Sequence, residues 1–272
     1  MTPPPPRRSS PGDAPSRRGG GPRFERPTLR LQTTTLWEYP SQHYTSARTG
    51  ASMQGDKNYV GATPSWIIWN LLERYTRPGD VVVDPMVGGG TTLDVCADLD
   101  RKCIGLDLAP SRPDIRPADA RSLPLADASA DFVFIDPPYS THVDYSDDPA
   151  CIGKLDAAGD DRGAAYYDAM AAVISEIDRV LKDRRYMALY VSDSFRKRRG
   201  KPGDGAGVFM PIGFELFALL RRRFKPTDII AVVRHNQKLE RGNWRKAAEE
   251  GNFYLRGFNY LFIMKKQADA PR

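Results

Sequence analysis

Short apolar runs alternate with helical segments along most of the chain, and this alternation limits the possible folds more than any other feature. The run Val81–Val83 lies between turn-forming residues and predicts a buried strand. Similar patterns predict strands at 103–107, 131–136, 187–191, 229–233 and 260–264, and helices at 63–72, 91–100, 165–182 and 211–224. Because strands that are joined by helices run parallel, the chain is predicted to have an α/β fold, a doubly wound sheet with helices on both faces.

The first thirty residues follow a different pattern. They are rich in proline and arginine and poor in apolar residues, so burial cannot offset the entropy cost of ordering them. We therefore predict a disordered arm at 1–30, either inert or a nonspecific phosphate-binding tail, and one folded domain at 31–268. Residues 1–31 carry seven arginines against two acidic residues, which accounts for +5 of the net charge of +6. The net charge therefore says little about the folded surface.

Several classes of protein are excluded by what the sequence lacks. No apolar run approaches the roughly 20 residues that a membrane-spanning helix needs. The arginine-rich N-terminus has no apolar segment typical of a secretory signal. Cys96, Cys103 and Cys151 have no spacing typical of disulfide pairs or metal ligands. We therefore predict a cytoplasmic protein with no metal site and no membrane partner.

The segment Asp84–Thr92 connects the first predicted strand to its helix and contains three consecutive glycines. Ligands of doubly wound sheets bind at the carboxyl ends of the strands. Glycines there allow the backbone to approach a ligand closely, and the helix N-terminus that follows offers free N–H donors. The segment has neither the spacing of a dinucleotide-binding loop nor the lysine of a phosphate-binding loop. It therefore predicts a site for another small ligand, with a tight structural turn as the alternative.

Two acidic residues follow the next two predicted strands. Asp107 lies at the end of an apolar strand, where a carboxylate suits the two hydroxyls of a ribose. Asp119 lies near the tip of a third strand, where its carboxylate suits an adenine amino group. The alternative for Asp107 is an ordinary strand-end or capping acid.

The tetrapeptide Asp136-Pro137-Pro138-Tyr139 follows the fourth predicted strand. Its two prolines end the strand and fix φ, which predicts a rigid turn that exposes backbone carbonyls and the Asp136 side chain. An amino group conjugated to a base ring is a poor nucleophile. Acceptors at Asp136 and at the Pro137 carbonyl would hold its hydrogens and stabilise positive charge on the nitrogen. Because Tyr139 would stack on the base, the tetrapeptide indicates chemistry at a base amino group, without a metal or a covalent intermediate.

These segments resemble the motifs of one enzyme family. DPMVGGGTT (84–92) and ADFVFIDPPY (130–139) resemble motifs I and IV of the S-adenosylmethionine-dependent amino-methyltransferases, and NYVGATPSW (58–66) resembles their motif X. Met86 and Gly89 depart from the common motif I but leave the other glycines and Thr91 in place. The resemblance implies a Rossmann-like class I methyltransferase fold with an antiparallel closing strand, and S-adenosyl-L-methionine as cofactor. It implies these cofactor-binding residues: Gly61, Thr63, Pro64, Asp84, Pro85, Met86, Gly88, Gly89, Gly90, Thr91, Thr92, Asp107, Asp119 and Ala120.

The resemblance also indicates the reaction. Members of this family methylate adenine N6 or cytosine N4 in DNA, and the D-P-P-Y form favours adenine. The expected function is therefore that of a DNA methyltransferase, which would fit a restriction–modification setting. Two alternatives stay open, a tRNA or rRNA guanine-N2 methyltransferase and a non-catalytic, cofactor-binding nucleic-acid adaptor. The chain shows no added N-terminal RNA-binding domain, which favours DNA.

Three loops near 140–163, 195–210 and 236–252 are predicted to face the substrate. The first is rich in aspartate and contains His142, a candidate proton acceptor, so it suits a lid more than a phosphate contact. The other two are basic, and a tryptophan among basic residues suits phosphate contact and base stacking, with a solvated surface as the alternative. Arg256 and Asn259 are further candidates. The predicted nucleic-acid-binding residues are Arg196, Lys197, Arg198, Arg199, Lys201, Lys238, Arg241, Trp244 and Arg245.

No block of the chain is large enough to form a separate target-recognition domain. Either the basic loops read a short sequence, or a homodimer or a specificity partner supplies the selectivity.

Overall fold

A computed structural model of the chain describes residues 28–39, 41–196, 208–234 and 242–267. Its strands are β1 (Leu36–Trp37), β2 (Val81–Asp84), β3 (Lys102–Asp107), β4 (Arg116–Pro117), β5 (Ala130–Ile135), β6 (Leu181–Val191), β7 (Ser194–Arg196), β8 (Val208–Met210), β9 (Lys225–Val233) and β10 (Phe258–Lys265). Its α-helices are α1 (Ser65–Tyr75), α2 (Thr91–Asp98), α3 (Ala164–Val180), α4 (Ile212–Leu220) and α5 (Gly242–Glu250). Short 3-10 turns lie at Ser140–His142 and Ile152–Lys154.

Eight of these strands form one sheet in the order β1-β9-β10-β6-β5-β2-β3-β4. Strands β2 to β6 pair in parallel, whereas β10 runs antiparallel to both of its neighbours, β6 and β9. Strands β7 and β8 form a separate antiparallel hairpin. The strand order and directions confirm the predicted Rossmann-like, doubly wound sheet with an antiparallel closing strand.

The central strand β5 shows why the sheet is covered on both faces. Phe132 and Phe134 pack into a cluster with residues of α1 and α2, whereas Val133 and Ile135 pack into a second cluster with residues of α3 and α4. All four side chains are at most 1% exposed. Because successive side chains of a strand point to opposite faces, a strand between two helical layers must be apolar along its whole length.

Three predicted helix ends are wrong. The helix predicted to reach residue 182 ends at Val180, because Leu181 has an extended backbone and begins β6 without a connecting loop. The helix predicted to reach residue 224 ends at Leu220, and Phe224 is buried in the turn before β9. The helix predicted to reach residue 100 ends at Asp98, because Asp100 has a φ of +57°. In the first two cases a buried apolar residue beyond the helix continued its apolar pattern.

Two predicted loops contain regular structure. The loop predicted at 236–252 contains α5, and the loop predicted at 195–210 contains residues of the β7–β8 hairpin. Helix α5 has no buried residue, so it lacks the apolar stripe by which a helix is found in a sequence. Its lysine, arginine, alanine and glutamate residues are nevertheless good helix formers. None of the described helices is long and apolar enough to cross a membrane.

Candidate active site

A cavity of about 550 Å³ lies at the carboxyl ends of β2, β3 and β5. It brings together the glycine loop, the acidic strand ends and the D-P-P-Y turn, which are distributed over residues 84–139 of the sequence. The predicted site residues that line it are Gly61, Thr63, Asp84, Pro85, Met86, Gly88, Gly89, Thr91, Thr92, Asp107, Asp119, Ala120, Asp136, Pro138, Tyr139 and Trp244.

Glycine is required in the loop after β2 because the ring of Tyr59 packs directly on its backbone. A Cβ atom at Gly88 would lie 2.8 Å from ring atoms of Tyr59, and one at Gly89 would lie 2.8 Å from the Tyr59 Cβ. Gly88 also has a φ of +53°, which favours glycine. The loop therefore forms a wall of bare backbone on one side of the cavity.

Two predicted cofactor contacts do not line the cavity. Gly90 is the N-cap of α2, with a φ of +83°, and a Cβ there would lie 2.6 Å from Arg112 Nη1. Pro64 is the N-cap of α1. Both residues shape a helix start and do not line the cavity, so their contact with a cofactor stays a prediction.

Asp84 holds the two ends of the glycine loop together. Its side chain is buried and accepts hydrogen bonds from Thr92 Oγ1 at 2.6 Å and from the Met86 N–H at 3.1 Å. Burial raises the pKa of Asp84 to about 7, although both hydrogen bonds favour the charged form. Asp84 therefore shapes the loop in addition to lining the cavity.

Asp107 and Asp119 lie at the same edge of the cavity but in different surroundings. Asp107 accepts hydrogen bonds from the Gly88 N–H at 2.9 Å and the Ala109 N–H at 3.0 Å, and burial raises its pKa. Asp119 pairs with Arg121 at 2.6 Å, and this guanidinium lowers the pKa of the carboxyl. Both carboxylates are only half-buried, so each has an oxygen surface that faces the cavity.

Asp136 is held by hydrogen bonds to both of its carboxylate oxygens. Thr63 Oγ1 donates to Oδ2 at 2.6 Å and the Tyr139 hydroxyl donates to Oδ1 at 2.8 Å. Asn259 Nδ2 donates in turn to the Tyr139 oxygen at 3.3 Å. Burial raises the pKa of Asp136 to about 7 against the opposing effect of these bonds and of Arg234. Thr63, which was predicted as a cofactor contact, thus also positions Asp136.

A hydrogen bond from α3 fixes the proline turn. The hydroxyl of Tyr166, a fully buried residue of α3, donates to the Pro138 carbonyl at 2.7 Å. Pro137 itself is buried and does not line the cavity through its side chain. The rigid turn predicted from the two prolines is therefore supported by a tertiary contact that the sequence alone did not predict.

Several residues of the cavity were missed or left unplaced by sequence reasoning. Tyr59 and Tyr145 line the cavity as a stacked pair with ring centroids 6.4 Å apart. Arg234 lines the cavity from the end of β9, and Asn259 reaches Tyr139 from β10. The only sequence signal was indirect: Tyr59 lies in the NYVGATPSW segment, and the two polar residues adjoin predicted strand ends.

The predicted nucleic-acid-binding residues are only partly described. Trp244 lines the cavity, whereas Arg245 is exposed on α5 and does not line it. Arg196 ends β7. His142 and Arg256 also line the cavity, as proposed from the sequence. The arm at 1–27 and the remaining predicted residues, Lys197, Arg198, Arg199, Lys201, Lys238 and Arg241, lie outside the described residues.

The chain matches the model of one protein family, DNA methylase of the N6/N4 type, over residues 17–115 and 130–270. It is 54% identical over 33 residues to the Type II methyltransferase M.SmaI of Serratia marcescens, a match that covers 12% of this chain and 11% of that protein. It is 33% identical over 58 residues to the Type II methyltransferase M.MjaII of Methanocaldococcus jannaschii, with 21% and 11% covered. The chain thus matches only about a tenth of the length of either curated relative.

Several solved structures are similar to the chain at low sequence identity. An S-adenosylmethionine-dependent methyltransferase from Methanosarcina mazei is 14% identical, with 72% of this chain and 97% of that chain covered and a TM-score of 0.45. TrmN from Thermus thermophilus is 18% identical, with 76% and 50% covered and a TM-score of 0.46. A putative DNA modification methylase from Thermus thermophilus, complexed with S-adenosyl-L-methionine, is 19% identical, with 57% and 56% covered and a TM-score of 0.38.

Proposed function

The chain belongs to the N6/N4 DNA methylase family, and we propose that it transfers a methyl group from S-adenosylmethionine to an exocyclic amino group of a base in DNA. Adenine N6 is the favoured target and cytosine N4 the next. The proposal depends above all on one observation, that Asp136 and Tyr139 line the same cavity as the glycine loop. A base amino group and a small cofactor can therefore meet in one enclosed space.

The residues of the glycine-loop side fit the cofactor. Gly88 and Gly89 line the cavity together with Tyr59, which packs on their backbone, and the half-buried Asp107 carboxylate at the end of β3 suits the ribose hydroxyls. Asp119 and Ala120 adjoin this position and would hold the adenine ring. When bound, S-adenosylmethionine supplies an electrophilic methyl group on a sulfonium ion.

Asp136 would prepare the amino group for attack. Each carboxylate oxygen has two lone pairs, and Thr63 and Tyr139 each occupy one lone pair on a different oxygen. An ionised Asp136 therefore retains acceptor sites for an amino hydrogen, and the Pro137 carbonyl would accept the other hydrogen. The hydrogen bonds to both acceptors become stronger as positive charge develops on the amino nitrogen, and this lowers the barrier to methyl transfer.

The same carboxylate offers a path for the proton that must leave. The nitrogen gains a methyl group and becomes positively charged, so it has to lose one hydrogen to reach the neutral product. Burial places the pKa of Asp136 at about 7, so an oxygen of its carboxylate can accept this proton and release it near neutral pH. No other base is needed for this step.

Tyr139 would stack on the target base. Its hydroxyl is held between Asp136 and Asn259, which fixes the ring relative to the acceptor carboxylate. A base in duplex DNA must leave the helix to reach such a cavity, and stacking on an aromatic ring offsets part of the cost of unstacking.

The reaction is tested with radiolabelled S-adenosylmethionine and DNA. We expect label transfer to DNA, loss of transfer in Asp136→Ala, and unchanged cofactor affinity in that variant. Asp183→Ala, which removes an exposed carboxylate of β6 that does not line the cavity, is the matched control and should remain active. Transfer to tRNA but not to DNA would contradict the proposal in favour of an RNA enzyme. Cofactor binding without transfer to any nucleic acid would indicate an adaptor.

The identity of the base is tested separately. Nucleoside mass spectrometry of DNA from cells with and without the protein should reveal N6-methyladenine. N4-methylcytosine in its place would leave the proposed reaction intact and correct its target.

The similarity to two Type II methyltransferases supports a role beside a restriction nuclease. Methylation by this chain would then protect host DNA from cleavage by a partner of the same sequence specificity. Cleavage of methylated and unmethylated host DNA by nucleases encoded near this chain would test it, and equal cleavage of both would contradict it.

A further inference from the structure

The exposed aromatic residues in the described part of the chain fall within one stretch of the sequence. Five aromatic side chains of the described residues are exposed, and all five lie between residues 209 and 258. Exposed apolar rings are unfavourable in water, so those that border the cavity are candidates for contact with a bound molecule. The five residues are Phe209, Phe214, Trp244, Tyr254 and Phe258.

Part of this region borders the candidate active site. Trp244 and Tyr254, which are 37% and 87% exposed, line the same cavity as Asp136 and Tyr139. The stacked pair Phe195 and Phe253, with ring centroids 5.3 Å apart, lines it too. We call the following set the aromatic wall: Phe195, Phe209, Trp244, Phe253, Tyr254 and Arg256.

Arg256 gives the aromatic wall a positive charge. Its guanidinium lies 4.8 Å from the centroid of the Phe209 ring, and the residue lines the cavity. A guanidinium that is stacked on a ring suits a phosphate next to a base. This combination favours a nucleic acid over an apolar protein segment.

Another part of the cavity lining comes from an acidic segment. Residues of the segment 140–163 line the cavity, and this segment contains six aspartates, none of which lines the cavity itself, against one lysine and one arginine. Charges within a Debye length of about 8 Å repel phosphates appreciably at physiological ionic strength. The charge of this segment therefore favours a path of the nucleic-acid strand along the aromatic wall.

We propose that the aromatic wall binds unpaired nucleotides that flank the target base, so that the preferred substrate is DNA that is single-stranded around the target. This inference rests on the proposed function. Bases in an intact duplex are stacked on one another and leave no ring face for these side chains. Unpaired bases offer both faces, and stacking on an aromatic side chain stabilises each bound base.

The fluorescence of Trp244 provides a direct readout. The chain has four tryptophans; Trp37 and Trp66 are buried, Trp69 is half-buried, and Trp244 alone is exposed. Titration with a short single-stranded oligodeoxynucleotide should quench this fluorescence by stacking. An oligonucleotide of equal length with abasic flanks keeps every phosphate, and we expect it to bind about tenfold more weakly and to cause little quenching.

Variants separate the aromatic wall from exposed rings in general. Trp244→Ala and Tyr254→Ala should each weaken binding of the intact single strand about tenfold, whereas Trp244→Phe should retain it. Phe214→Ala is the matched control, because Phe214 is exposed at 64% but does not line the cavity. It should leave binding unchanged. The abasic comparison uses the unaltered protein, so it stands even where a variant does not fold.

Three results would overturn the inference: equal affinity for intact and abasic flanks, tighter binding of duplex than of single-stranded DNA, or conversion of a dimer to a monomer by Trp244→Ala with DNA affinity unchanged. The last result would assign the aromatic wall to contact with a second copy of the chain. If any of these three results were accompanied by Asp136-dependent methylation of DNA, the proposed function would stay intact. Absence of methyl transfer to all DNA, with abasic discrimination retained, would overturn only the proposed function.

Discussion

The two halves of the cavity are built in different ways. The glycine half consists of Asp84–Thr92 and Asp107, and its supporting hydrogen bonds join residues at most 33 positions apart, the span from Asp56 to Gly89. The aspartate half consists of Thr63, Asp136, Tyr139 and Asn259, whose bonds join residues up to 120 positions apart. A cofactor shared by many enzymes can be held by one local loop, whereas the geometry around a reacting group depends on the whole sheet. Substitutions in the two halves should therefore separate cofactor affinity from catalytic rate.

The largest effect is expected for Asp136→Asn. The amide replaces a charged acceptor with a neutral one of the same shape, so turnover should fall about a hundredfold to a thousandfold. Cofactor affinity, measured by calorimetry, should stay within about twofold, since Asp136 belongs to the aspartate half. An equal loss of cofactor affinity would show that the two halves do not act separately.

The next effect concerns pH. Asp136 must be ionised to accept an amino hydrogen, and its pKa is about 7. Below that pH, kcat/KM should fall about tenfold for each pH unit, and it should level off above it. Cofactor affinity should not fall over the same pH range. A rate profile that is flat between pH 5 and 8 would contradict the role given to the ionised carboxylate.

Asp84, in the glycine half, has a similarly raised pKa, and its effect can be measured on the free energy of unfolding. Its pKa is raised to about 7, so the folded protein holds this proton more tightly than the unfolded chain does. The protonated Asp84 therefore contributes to the free energy of unfolding at low pH, and this contribution is lost as pH rises from about 4 towards 7. Asp84→Asn should remove this part of the pH dependence of the unfolding free energy, which urea titration at several pH values measures.

A smaller effect is expected in the glycine half for Gly88→Ala. The new Cβ meets the Tyr59 ring at 2.8 Å, so cofactor affinity should fall about tenfold while turnover at saturating cofactor is nearly retained. Gly50→Ala is the control, because Gly50 also has a positive φ but a Cβ added there would meet no atom within 4 Å. Both variants should lose about 1 kcal/mol of stability through the positive φ, Gly88→Ala should lose more because of its clash with Tyr59, and only Gly88→Ala should lose affinity. Equal affinities in the two would contradict the close-approach argument.

The smallest effect is expected for Asn259→Leu. Loss of one hydrogen bond to Tyr139 should lower turnover about fivefold through misplacement of the ring, without a change in cofactor affinity. Asn70→Leu is the control, since Asn70 is equally buried but lies on α1 away from the cavity, and it should affect stability alone. Combining Asn259→Leu with Tyr139→Phe should cost little more than the Tyr139→Phe change. Additive losses would show that Asn259 does not act through Tyr139.

The same division explains how much could be predicted from the sequence. The glycine loop and Asp107 were predicted because strand, turn and helix signals are local, and the sheet followed from their alternation. Asp136 and Tyr139 were predicted because one tetrapeptide contains both. The contacts of Tyr166 and Asn259 with that turn depend on the placement of α3 and β10, which no local pattern specifies. Helix α5 was missed because it buries nothing and so has no apolar stripe.

The edges of the sheet bear on how copies of this chain can associate. Strand β1 pairs with only Ala231 and Val232 of the nine-residue β9, and the remaining outer edge of β9 includes Lys225, Pro226 and Asp228. The opposite edge, β4, is two residues long and contains Pro117, which has no N–H to donate. Short edge strands, charges and prolines disfavour the addition of a foreign strand. Any dimer is therefore expected to form through side chains of helices or loops, and partly unfolded copies are poor templates for one another's aggregation.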